Sequence, residues 1–315
     1  MIVDLGWVAL GLVLLYYGAE WLITGAASAA VRCGISPLVA GLTVVAFGTS
    51  SPELVVSLSA AFKGNPDVAV GNVVGSNIFN VAIILGLVAV ICPVRIQVQL
   101  IRVDMPILIV VSLVAAAMLH TGRVGRMEGA CLFAGIIAYT VFAVIMAKRE
   151  SSKAAVSEFA EEVKTTGKHP LYDLGLIIGG LLVLVGGGQL FVVGSVGLAR
   201  SLGLSDAIIG LTLVAAGTSL PELAASTVAA LRKEPDIAVG NIVGSNLFNI
   251  LSILGLTALV HPLQVSGITW WDLGTMLATT IILLPLMWTG SILRRWEGGL
   301  LLLMYAVYLF VLWPD

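Results

Sequence analysis

The chain has 315 residues, 59% of them hydrophobic and only 11% charged, with a formal net charge of −2. Soluble domains carry about 25% charged residues, so this composition excludes a soluble globular protein and describes an integral membrane protein. No basic patch interleaved with aromatics is present, which excludes a nucleic-acid partner. Cys33, Cys92 and Cys131 lack metal-like spacing and read as reduced packing residues.

A spanning helix needs about 20 mostly apolar residues. Ten segments meet that rule in chain order: 3–30, 37–61, 68–92, 104–120, 126–147, 172–199, 206–231, 237–260, 272–289 and 296–313. The first carries Asp4 in place of a basic leader and is too long for a signal peptide, so it is read as a span. The one extended polar stretch, 148–170, is a mixed-charge linker, too short to hold a folded regulatory domain. Placing both termini outside puts twelve of the sixteen Lys and Arg residues in the cytoplasm and leaves Lys63, Arg123, Arg126 and Arg200 outside. The positive-inside rule therefore predicts an N-out, C-out protein. Trp7, Trp21, Trp270, Trp271 and Trp313 fall near the expected interfaces.

The chain is also a repeat. The segment beginning "GLTVVAFGTSSPEL" at Gly41 aligns without gaps to "GLTLVAAGTSLPEL" at Gly210, with roughly 30 of about 47 positions identical. The same offset pairs Asp4 with Asp173 and Glu20 with Gln189, so the duplication covers essentially the whole chain. The predicted units are a first five-helix repeat over 1–147, a cytoplasmic linker over 148–170, and a second repeat over 171–315. Five is odd, so the second repeat must enter the membrane from the opposite side. The expected fold is an all-α polytopic membrane protein of ten transmembrane helices in two inverted repeats. Inverted repeats with interrupted helices at matching positions mark secondary transporters, with the site at mid-membrane between the halves.

The best-matched residues are polar. Glu53 and Glu222 lie deep inside predicted spans, where a carboxylate is a functional-site candidate by default. Pro52 and Pro221 remove a donor and clash with the carbonyl four residues back, which frees the carbonyls of Gly48 and Gly217 and loosens the turns around Ala46 and Ala215. Unwound backbone survives in a membrane only where protein or a cavity satisfies it. Those carbonyls, the hydroxyls of Thr49, Ser50, Thr218 and Ser219, and the two carboxylates are oxygens expected to converge. Ser76 and Asn80 share one face of the next helix, as do Ser245 and Asn249. Asn77 and Asn246 point elsewhere and are candidates for satisfying backbone freed by the broken helices. Gly71, Gly75, Gly240 and Gly244 have the spacing of close helix packing. An all-oxygen set suits hard cations such as Ca²⁺ and not zinc or copper, since no Cys or His joins it. Two carboxylates balance one Ca²⁺, or sodium ions at overlapping oxygens, and protons should compete for them at low pH.

At these motifs the chain resembles the cation/calcium antiporter superfamily, specifically prokaryotic sodium/calcium exchangers. The "GTS-x-PE" and "GSN-x-FN" segments of both halves carry the resemblance. It implies electrogenic Na⁺/Ca²⁺ antiport, with calcium held chiefly by Glu53 and Glu222. It implies sodium sites at Ala46, Thr49, Ser50 and Ser76, and at Ala215, Thr218, Ser219 and Ser245. It also implies that the first and sixth helices slide across the rest, for which their Gly, Ala and Ser residues ("GAASAA" from Gly25, "GGG" at Gly186) suit a low-friction surface. Some relatives carry aspartate at the position of Asn249; asparagine here, matching Asn80, weakens the case for potassium co-transport. The transported ions are then Ca²⁺ and Na⁺, with no cofactor, no obligate protein partner, and the bilayer of a prokaryotic plasma membrane as surroundings. Proton/calcium or potassium-dependent exchange on the same scaffold stays open. A channel is disfavoured by inverted repeats around two acids, and an intramembrane protease by the lack of a buried Ser/His pair or aspartate dyad. Glu20 is read as lining a pathway or bonding to the core. Asp67, Asp236, Asp104 and Asp272 are read as helix caps.

Overall fold

The computed structural model describes residues 1–150, 169–201 and 215–312. The linker over 151–168, the predicted start of the seventh span over 206–214, and Trp313 lie outside the described residues. The helices are α1 (Ile2–Cys33), α2 in two arms (α2a Pro37–Thr49, α2b Ser51–Phe62), α3 (Pro66–Ile91), α4 (Leu100–His120) and α5 (Arg126–Ala147). They continue with α6 (Pro170–Ala199), α7 (Leu220–Leu231), α8 (Pro235–Val260), α9 (Trp270–Trp288) and α10 (Arg295–Leu312). Among the described residues, eight helices are long and apolar enough to cross a membrane, and the bent α2 pair makes a ninth. α7, the described part of the seventh predicted span beyond its break, has 12 residues.

Local chemistry sets the ends. Gly34 closes α1 in the left-handed conformation, φ 64°, and Ser36 caps α2a through the Val39 N–H, with Pro37 in the first turn. Two short strand pairs staple the helix ends together. β1 (Val94–Arg95) pairs antiparallel with β4 (Ile292–Leu293), and β2 (Arg123–Val124) with β3 (Leu263–Gln264). The offset that aligns Asp4 with Asp173 carries the first pair onto the second. The buried core centres on α3 and α8, flanked by α2a and α7. Gly240 and Gly244 of α8 face α2a so closely that a Cβ would sit 2.6 Å from the Leu38 and Leu42 carbonyls respectively. The packing reading of these two glycines holds.

The aspartates depart from the capping expectation in three cases of four. Asp272 does cap α9, in a reciprocal box with Thr269. Asp67 instead accepts the N–H groups of Ser266 and Gly267 at 2.8 Å each, tying the loop before α9 to α3. Its repeat mate Asp236 accepts Gln97 Nε2 at 2.7 Å, and Gln97 aligns with Ser266. Asp104 is buried and accepts the Tyr139 hydroxyl at 2.9 Å. These contacts join distant segments, which a sequence window does not show. The cysteines also differ from expectation: all three are free but exposed rather than packed. Trp7, Trp21, Trp270 and Trp271 are exposed, as an interfacial belt requires.

The small residues of α1 and α6 do something other than lubricate. Gly11, Gly18 and Gly25 recur every seventh residue of α1 in a backbone-to-backbone seam. Gly11 and Gly18 meet Gly187 and Gly180 of α6, Gly25 meets the Asp173 carbonyl, and Gly194 of α6 meets the Asp4 carbonyl. A Cβ on Gly18 would lie 2.7 Å from Leu184 N, and one on Gly180 would lie 2.6 Å from Leu22 N. Arg32 Nε clamps one end of the pair at 2.5 Å from buried Asp173 Oδ2. The low-friction expectation therefore changes: the glycines chiefly bind α1 and α6 into one body. Only Gly188 faces the rest, 3.8 Å from Leu220 Cβ. Gly180→Ala is expected to lower the melting temperature of the detergent-purified protein by the equivalent of about 1–3 kcal/mol. Gly175→Ala, with nothing within 4 Å of its Cβ, is the control and leaves the melting temperature unchanged or raises it slightly.

Candidate functional site

Two broken helices create the site. In α2 the chain leaves helical geometry at Ser50, φ −84° and ψ 7°, and the arms bend by 44°. Pro52 then sits in the first turn of α2b, where its missing N–H costs nothing. The break falls later than the turn around Ala46, whose carbonyl still accepts the Ser50 N–H at 3.0 Å. Proline thus opens the turn by starting a new helix rather than by unravelling the old one. In the second copy a short helix, Ala215–Gly217, is followed by two turn residues before α7. There the Ser219 N–H reaches the Ala216 carbonyl at 3.2 Å, three residues back instead of four.

The two breaks face each other, and their side chains cross over. Ser50 Oγ donates to Glu222 Oε1 at 2.7 Å, and Ser219 Oγ donates to Glu53 Oε1 at 3.1 Å. Each serine thus holds the other copy's carboxylate. Thr49 and Thr218 approach Glu222 and Glu53 in the same crossed sense. Ser76 Oγ lies 3.3 Å from Ser219 Oγ. Both glutamates are 1% exposed, and among the described residues neither forms an ion pair. Glu53 Oε2, Glu222 Oε2, Ser245 Oγ, Asn80 Oδ1 and both polar atoms of Asn249 are buried without a hydrogen-bond partner. A buried polar atom left unmatched is costly and calls for an explanation. The supply of uncommitted acceptor oxygens beside two uncompensated carboxylates is what a desolvated cation requires.

Asn80 and Asn249 each begin a π-helical turn, Asn80–Leu85 and Asn249–Leu254. Such turns are frequent at functional sites, and apolar periodicity did not announce these two. Asn80 Nδ2 donates to Asn246 Oδ1 at 3.0 Å, which ties α3 to α8. Asn246 and Asn77 do not repair the broken helices as expected: their amides donate to the α3 carbonyls of Asn77 and Val73, respectively. Of the expected set, then, Glu53, Glu222, Ser50, Ser219, Thr49, Thr218 and Ser76 meet at the crossing. Asn80, Asn249 and Ser245 stand on α3 and α8 as buried groups with unmatched polar atoms. Ala46 contributes a carbonyl that also accepts Thr49 Oγ1 at 3.4 Å, and Ala215 opens its short helix.

Two residues were missed. Asn241 Oδ1 accepts Thr49 Oγ1 at 3.1 Å while its amide donates to Ser226 Oγ at 2.9 Å. Asn72 Nδ2 donates to the Glu53 carbonyl at 3.1 Å and to Ser57 Oγ at 2.9 Å, and its Oδ1 is 3.5 Å from Thr218 Oγ1. Each asparagine couples its own copy's glutamate helix to the opposite copy's threonine. The signal was available: Asn72/Asn241 and Ser57/Ser226 are identical pairs in the repeat, with each serine four residues after its glutamate. A cavity of 530 Å³, lined by Ser51, Pro52, Gln189, Thr218 and Pro221 among others, reaches the crossing from one side.

The profile of the family described as sodium/calcium exchanger protein matches residues 3–145 and 172–313. CaxA of Alkalimonas amylolytica is 38% identical over 320 residues, covering 100% of both chains. The inner membrane protein YrbG of Escherichia coli strain K12 is 37% identical, covering 89% of this chain and 87% of that one. The solved structure of the sodium-calcium exchanger NCX_Mj, soaked with zero Na⁺ and Ca²⁺, superposes with a TM-score of 0.85 at 31% identity, covering 99% of each chain. Multiple apolar spans and these matches make it a multi-pass membrane protein. The chain belongs to the sodium/calcium exchanger family.

Proposed function

We propose that the protein is a secondary antiporter that exchanges Na⁺ for Ca²⁺ by alternating access, with the ions bound at the crossing of the two broken helices. The carrying observation is the reciprocal pair of buried carboxylates, each fixed through one oxygen by the opposite copy's serine and each keeping the other oxygen free. Glu53 and Glu222 supply the charge that neutralises one Ca²⁺. Thr49, Ser50, Ser76, Thr218, Ser219 and Ser245, with the carbonyls of Ala46 and Ala215, supply neutral oxygens for Na⁺. Asn80 and Asn249 complete the set with amide oxygens, which suits a hard cation. An empty site keeps two uncompensated charges in a low-dielectric interior, costing several kcal/mol, so the loaded forms are the ones that cross.

The architecture in this reading is ten spans in two inverted repeats, 1–147 and 171–315, joined by a cytoplasmic linker over 148–170, with both termini outside. Exchange of strand partners between the copies, and the matching Asp67 and Asp236 ties, support a two-fold relation. The exchanger and antiporter relatives support a transporter rather than an enzyme, in the plasma membrane of a prokaryote. No cofactor is needed for this chemistry.

In proteoliposomes, ⁴⁵Ca²⁺ uptake is expected to follow an outward Na⁺ gradient and to ignore K⁺ or H⁺ gradients. Uptake driven by ΔpH alone would replace sodium with protons as the coupling ion. Glu53→Gln and Glu222→Gln should each weaken Ca²⁺ transport by at least about 100-fold, equivalent to roughly 2.7 kcal/mol; near-normal flux in either would move the site elsewhere. Asn241→Ala removes one hydrogen bond to Thr49, worth about 0.5–1.5 kcal/mol. It should raise the Na⁺ concentration for half-maximal exchange by about 2–10-fold while sparing the maximal rate, as read from initial rates against [Na⁺].

A further inference from the structure

The α1–α6 pair does not treat the two glutamate helices alike. Val55 and Val56 on α2b are 67% and 37% exposed, whereas their repeat mates on α7 are half-buried Ala224 and fully buried Ala225. The cause is packing: α1 lies along α7, while the 530 Å³ cavity separates α6 from α2b. The closed side carries an ion pair. Glu20 Oε1 of α1 is 3.4 Å from Arg232 Nη1, at the end of α7. The same nitrogen donates to the Glu20 carbonyl at 3.3 Å and to Thr24 Oγ1. The loop bearing Arg232 is held in place by Lys233, which takes a left-handed φ of 62°, and by the Glu234 N–H bonded to the Ala229 carbonyl at 2.9 Å. Glu234 belongs to the same electrostatic environment: burial pushes its carboxyl up to about 7, opposed by Arg232 and reinforced by Glu20.

None of these groups has a charged counterpart at a matching position, except Arg232 itself. The repeat mate of Glu20 is Gln189, that of Thr24 is Val193, that of Glu234 is Asn65, and that of Arg232 is Lys63. Gln189 and Val193 line the open cavity. In an inverted-repeat transporter the second conformation is the first with the roles of the copies exchanged. The pair that would close the α2b side is therefore Gln189 with Lys63, an amide facing an ammonium. We propose that the Glu20–Arg232 ion pair is a one-sided latch, which holds the α7 side shut and biases the resting protein toward the conformation open along α2b.

The latch rests on the exchange reading only through alternating access, and its test needs no transported ion. With Cys33, Cys92 and Cys131 replaced by Ser, single cysteines at Val55 and Ala224 report how open each side is, through their rates of modification by a soluble maleimide in sodium- and calcium-free buffer. The unlatched comparison is Glu20→Gln, and it is expected to lower the Val55→Cys to Ala224→Cys rate ratio by about five-fold or more. Gln189→Glu, which breaks no side-chain hydrogen bond among the described residues and supplies the acid that the α2b side lacks, should shift the ratio in the same direction. The charge swap Glu20→Arg with Arg232→Glu should restore it. An unchanged ratio in a monodisperse Glu20→Gln protein, or a folded swap that fails to restore it, overturns the latch. If Glu20→Gln does not fold, an unchanged ratio in Gln189→Glu decides against it instead. A ratio that shifts in a protein showing no Na⁺-driven Ca²⁺ flux keeps the latch and sinks the exchange reading; normal flux with an unmoved ratio does the reverse.

Discussion

Everything at the centre of this protein answers to two carboxylates that are fully buried and form no ion pair among the described residues. Taking such charges out of water is costly unless something compensates them. The protein compensates in part by crossing over: the serine of each motif bonds the glutamate of the other, so neither carboxylate is held by its own copy alone. The remaining oxygens stay unmatched. In the proposed function that deficit is what draws the ion in, and the crossed bonds make the two copies interdependent, because each glutamate is held from the opposite copy.

Broken helices follow from the same requirement. A continuous helix would spend its carbonyls on itself. Pro52 and Pro221, each immediately before its glutamate, sit in the first turn of the restarted helix, and the serines ahead of the restart reach across the interface. The asparagines Asn72 and Asn241 then bind each glutamate helix to the opposite threonine. Glutamate position, serine donors and threonine orientation therefore form one hydrogen-bonded unit, surrounded by the tightly packed α2a, α3 and α8.

Around this rigid unit lies a second body of different character. The glycine seam and the Arg32–Asp173 clamp join α1 to α6 backbone to backbone, whereas the contacts from this pair to α2b and α7 are unequal on the two sides. A stiff pair with weaker, side-dependent contacts can shift as a whole without disturbing the crossing. Charge placement at the end of α7 then bears on which position is occupied, because the motifs at the crossing are matched in both copies whereas the charges at the end of α7 are not.

Much of this was legible in the amino-acid order alone. The apolar runs, the duplication and the identical polar motifs determined a membrane protein with two matched sets of Glu, Ser and Thr, because span length and repeat identity are properties of the chain itself. Residues whose partners lie far away in sequence were read less well. Asp67 and Asp104 looked like caps since the helix start beside them was visible and the loop at Ser266 or the ring of Tyr139 was not. The same glycines that suggested sliding became a seam once α6 was seen to present its own glycines to α1. Asn72 and Asn241 were visible as a repeated pair but had no assigned purpose until the opposite threonines arrived beside them. Composition and spacing thus determined which groups must sit in the membrane, through the cost of burying them. Only the tertiary structure decided whom each one meets, because that depends on how two copies of one helix set cross and on which side α1 closes.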